Sequence, residues 1–121
     1  MTEYLIAFNQ DWVPHHTADE LRAKVDAGRA LVAEMQDAGV LVFTGGLDAA
    51  APVFSVDASG GTPLFTDGPF IESKEVLGGF AVVDVADEQA ARLWAGKVAV
   101  ACGWPQEVRR FLPRMQPPGM A

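Results

Sequence analysis

A chain of 121 residues that is 50% apolar and 21% charged fits one globular domain with a real core and excludes an intrinsically disordered protein. Its net charge of −7 works against binding nucleic acid, which needs a basic surface, and an anionic membrane would repel it, so neither is expected as a partner. The single cysteine, Cys102, rules out an intrachain disulfide, and no apolar run approaches membrane-spanning length or follows a charged start, so a cytoplasmic location is expected.

Residues 4–8 place Tyr4, Ile6 and Phe8 on one side and Leu5 and Ala7 on the other, which predicts a strand apolar on both faces. A loop over residues 9–16 carries Asp11, Trp12, Pro14 and the adjacent His15 and His16. Thr17-Ala18-Asp19-Glu20 is a capping box, and the helix it opens has Leu21, Val25, Val32 and Met35 along one stripe. Gly28 falls on that same stripe. Gly39 is expected to end the helix in a left-handed cap.

A second strand over residues 40–44 runs into Gly45-Gly46. Residues 53–56 and 63–65 flank Asp57-Ala58-Ser59-Gly60-Gly61 and read as a hairpin. Residues 80–85 form the most apolar run and the candidate central strand. Asp87 then caps a second helix with Ala91, Trp94, Val98 and Ala101 on its inner face, and Gly103 stops it. Residues 107–112 give the last strand. The domain is expected to span residues 1–112, followed by a proline-rich tail over 113–121 that is too short to pack independently.

This order is two βαβ units with a hairpin between them, the split βαβ or ferredoxin-like arrangement of the α+β class. Both helices then lie on one side of the sheet. The strands at residues 4–8, 40–43 and 80–85 are apolar at both parities, as expected of strands buried on both faces, so a second copy of the chain is the expected cover for the free face.

The densest chemistry lies in residues 66–80, where a turn sequence, four charged side chains, two phenylalanines and a Gly-Gly pair share fifteen positions. Asp67-Gly68-Pro69 has turn chemistry, since Gly68 accepts a positive φ and Pro69 fixes its own. Carboxylates and an ammonium beside aromatic rings are also the few polar groups that orient a ligand in an apolar cleft. Asp67, Phe70, Glu72, Lys74 and Phe80 are therefore the candidate ligand-binding residues.

Asp67-Gly68-Pro69-Phe70, with Glu72, Lys74, Glu75 and Leu77-Gly78-Gly79-Phe80 after it, resembles the hallmark of the DGPF-domain branch of the YCII-related family. The resemblance extends over nearly the whole chain, from Tyr4 to Leu112, and implies a dimeric α+β barrel. Members of the wider family competent in catalysis are thought to use a His-Asp dyad on the first helix. Asp37 matches the aspartate, whereas the histidine position falls on Gly28, so the dyad is incomplete. A glycine inside a helix costs about 1 kcal/mol against alanine and is kept for close packing or ligand access; a tight helix-to-sheet contact is the expected reason here.

Other candidates for acid-base work are Asp67, Glu72 and His15 beside Asp37. Ser73 and Cys102 have no base near them in sequence, no ligand spacing for a metal occurs, and no glycine loop has a nucleotide-binding pattern, so neither metal nor cofactor is expected. Two readings follow. One is a homodimeric small-molecule binding module with a cleft near residues 67–80; the other is a cofactor-free lyase or isomerase using carboxylate or histidine catalysis in that cleft.

Overall fold

A computed structural model of the chain describes residues 1–69 and 76–114. β1 (Thr2–Asn9) leads through a single 3-10 turn, Gln10–Trp12, into α1 (Ala18–Asp37). β2 (Leu41–Gly46) follows, then the paired β3 (Phe54–Asp57) and β4 (Leu64–Asp67). β5 (Leu77–Val85), α2 (Glu88–Cys102) and β6 (Glu107–Arg110) complete the domain.

The helix boundaries follow local chemistry. Thr17 accepts the Glu20 amide at 3.1 Å and Asp87 accepts the Ala90 amide at 2.8 Å, each satisfying a donor that its helix cannot. At the far end of α1, Val40 N–H donates to Met35 O and Gly39 N–H to Gln36 O, with Gly39 at φ +71°. This is a Schellman ending, and Val40 packs on the same core as Met35. Gly103 closes α2 in the left-handed conformation.

The main sheet has the order β2-β5-β1-β6 with every neighbour antiparallel. β1 and β2 are thus parallel strands split by β5, and β5 and β6 are parallel strands split by β1. That is the ferredoxin-like α+β topology expected from the element order. β3 and β4 form a separate two-stranded sheet. The core lies between the sheet and both helices, with Tyr4, Ile6, Met35, Val83, Val85 and Trp94 buried together. Lys97 of α2 pairs with Glu34 of α1 and lies 5.3 Å from the Trp94 ring, tying the two helices across their outer edge.

Among the described residues both helices lie on one side of the sheet, and no helix covers its other face. Register places Leu5 opposite Val82, Ala7 opposite Phe80, and Phe43 opposite Val82, so these apolar side chains share that face. The Phe43 and Phe80 rings meet there at 5.9 Å. The β3–β4 ribbon also exposes its phenylalanines, Phe54 at 67% and Phe65 at 69% of their surface. Near the end of the described chain, Phe111 N–H donates to Glu3 O, and the Arg114 guanidinium makes two 2.7 Å bonds to the Glu3 carboxylate.

Candidate functional site

A cavity of about 460 Å³ opens between α1 and the sheet. The helical periodicity that buries Met35 brings Val25, Gly28, Arg29, Val32 and Gln36 to its wall, because residues three and four apart share one helix face. Thr44, Gly45 and Gly46 of β2 face them from across the space. Ile6 and Phe8 of β1 with Phe80 and Ala81 of β5 line its floor, and Val98, Ala101 and Cys102 of α2 with Gln106 close one side.

Gly28 corrects an expectation. A Cβ built on it would meet nothing within 4 Å, so the residue makes no tight helix-to-sheet contact and leaves space in the cavity wall. The close approach lies elsewhere: a Cβ on Gly79 would come within 3.0 Å of Phe8 Cε1 and 3.1 Å of Gly45 O. Gly78 and Gly79 therefore seat the Phe8 ring across β5, and that ring packs edge-on to Trp104 at 5.4 Å. This use of the Gly-Gly pair had no signal in the sequence beyond its position opposite an aromatic-rich strand.

The expected binding residues are only partly brought together. Phe80 borders the cavity, its carbonyl accepting from the lining Thr44, while its ring lies on the other sheet face against Phe43; Asp67 is the last residue of β4, in the separate ribbon, and is not among the lining residues. Phe70, Glu72 and Lys74 lie outside the described residues. The turn reading of Gly68 has direct support, since it adopts φ +88° and its amide donates to Val53 O at 2.6 Å while its carbonyl accepts the Ser55 hydroxyl.

Of the catalytic candidates, Asp37 is exposed at the last turn of α1, and His15 is exposed in the loop before it. His16 packs its ring edge-on to Trp104 at 5.6 Å, a packing role. Cys102 is half-buried in the cavity wall, and burial pushes its thiol pKa up, with Lys24 opposing that shift. The thiol is therefore protonated at neutral pH and a weak nucleophile. Thr44 donates its hydroxyl to Phe80 O. Among the described residues no His, Asp or Glu lines the cavity, and no group of three or more metal-ligating side chains is assembled. No helix among them is long and apolar enough to cross a membrane.

Fold and site together define a small ferredoxin-like α+β domain with an apolar cavity under its first helix. Residues 4–102 match the family model of the YCII-related domain, and the chain belongs to that family. Among curated proteins, none matches the chain.

Proposed function

We propose that the protein is a homodimeric small-molecule binding module of the DGPF branch of its family, with the ligand seated in the cavity between α1 and the sheet. The observation that carries this reading is Gly28. Alanine there would gain about 1 kcal/mol of helix stability without a clash, yet the helix keeps the residue that widens the cavity. A helix position that gives up stability while opening a cavity fits a ligand site, and a volume of about 460 Å³ lies within the range of such sites.

The wall favours binding over acid-base catalysis. Its described residues offer apolar surface, two amides, one hydroxyl, one guanidinium and a protonated thiol, with no carboxylate or imidazole to move a proton. Phe80 connects the cavity to the stretch that ends with it, and the turn at Gly68 lies at that stretch's start. A second copy supplies the natural cover for the apolar sheet face carrying Phe43, Phe80 and Val82.

A thermal-shift screen of small aromatic and carboxylic metabolites tests the reading. A ligand at 100 times its Kd stabilises by about 2.7 kcal/mol. Hits are expected with the wild type and lost in Gly28→Leu, whose side chain fills the cavity. A screen without hits, or hits unchanged in the filled variant, would overturn it.

A further inference from the structure

Resting on the binding reading above, the geometry points to an amphipathic monoanion as the ligand of this cavity: an apolar body bearing one carboxylate, anchored by Arg29. Arg29 follows Gly28 on α1 and lines the same cavity, one turn after Val25 and one turn before Val32. It is the only charged side chain among the described lining residues. The chain has 16 acidic residues against 9 basic ones, so a wall with a cation and no described carboxylate reverses the sign of the whole molecule at this one place. Such a local reversal selects an anion against the repulsion of the surrounding charge.

The other described cations are committed elsewhere. Arg22, Arg92, Lys97, Arg109 and Arg114 each pair with a carboxylate. The Lys24 ammonium lies over Gly103, where it complements the C-terminal end of α2. Arg110 is on β6, beside Glu3 and Asp84 in a different recess. Arg29 forms no ion pair with any described residue. Its planar fork suits a carboxylate held by two parallel bonds, and Gln36 and Gln106 add neutral amides to the wall.

One cation sets the ligand's charge at one. A second anionic group would meet no second cation among the described lining residues, only apolar side chains, neutral amides and a hydroxyl, so no ion pair would offset its desolvation. The apolar lining takes the body instead, each buried methylene contributing about 0.8 kcal/mol. The ligand is thus a medium-chain or aryl-alkyl carboxylic acid rather than a phosphate ester or a dicarboxylate.

Calorimetric titration of the full chain with octanoate and 3-phenylpropanoate, each against its own primary amide, tests this. At low salt each acid is expected to bind about tenfold tighter than its amide or better, the gain of a charge-assisted bond. In Arg29→Gln the preference of acid over amide should fall to about twofold or less, and about 1 M salt should narrow it in the wild type. Equal affinity of acid and amide in the wild type, with both lost in Gly28→Leu, would overturn the anion assignment and leave the cavity as the binding site. No binding by any of the four probes would overturn it also, and if the wider screen then gave no hit the binding reading would fall with it.

Discussion

A methyl group placed on Gly28 would touch nothing within 4 Å, whereas one on Gly79 would press on the Phe8 ring and on the carbonyl of Gly45. The same substitution should therefore have opposite signs at the two positions. Gly28→Ala is expected to stabilise by about 1 kcal/mol, a rise in melting temperature of roughly 3–6 °C for a domain of this size. Gly79→Ala should destabilise by about 1–3 kcal/mol, since neither a packed ring nor a sheet carbonyl can move aside freely. Scanning calorimetry on both variants checks the pair. Gly28→His should also fold, because the imidazole has open cavity to occupy; a variant that failed to fold would restore the tight-packing reading. Gly28 stood out in the sequence as a glycine on the apolar stripe of a helix, whereas Gly79 was only one of a Gly-Gly pair before the central strand. What the sequence could not reveal was the neighbour across the gap, which belongs to a different element in each case.

Elements whose limits depend on local chemistry were legible from residues alone. Thr17, Gly39, Asp87 and Gly103 stand at the helix ends where their side chains or lack of one predicted them. Asp87→Ala is accordingly expected to cost about 1 kcal/mol, measured by denaturant unfolding. The strand order was legible too, because two βαβ units admit few right-handed arrangements. The cavity was not, because it exists only where α1, β2 and the middle of the sheet fail to fill the space between them, and residue spacing within one element records no such volume. The link between Glu3 and Arg114 was equally hidden, joining positions at opposite ends of the described chain. It makes a pH prediction. The Arg114 hydrogen bond holds the Glu3 carboxyl below its ordinary value of 4.5, so the pair contributes stability that is present above that value and is lost as pH falls through the lower, folded-state value. Arg114→Ala should melt below the wild type at neutral pH, and the gap should close on acidification. A gap that stayed constant down to about pH 3 would assign the loss to Arg114 contacts other than the ion pair, and no gap at neutral pH would show that the pair is screened out by solvent.

At the scale of the molecule the open question is what covers the second sheet face. Phe43 shows 58% of its surface there, beside Phe80 and Val82, and the Oδ1 atom of Asp84 is buried on the same face without a hydrogen-bond partner among the described residues. A lone domain gains nothing from an apolar sheet face turned to water, and patches of this kind mark association surfaces. If a second copy covers the face, the wild type should scatter light as a dimer at micromolar concentration. Phe43→Glu separates association from folding. In a single chain the new carboxylate is mostly exposed, so stability should change by about 0.5 kcal/mol or less. In a face-to-face dimer the same carboxylate is buried in both copies without a partner, at a cost of about 3–5 kcal/mol or more. Because each 1.4 kcal/mol is about a tenfold change, the dimer dissociation constant should rise at least a hundredfold, leaving a folded monomer at concentrations where the wild type is paired. A wild type that is already a well-folded monomer, or a Phe43→Glu variant that remains dimeric, would place the interface elsewhere and return this face to solvent.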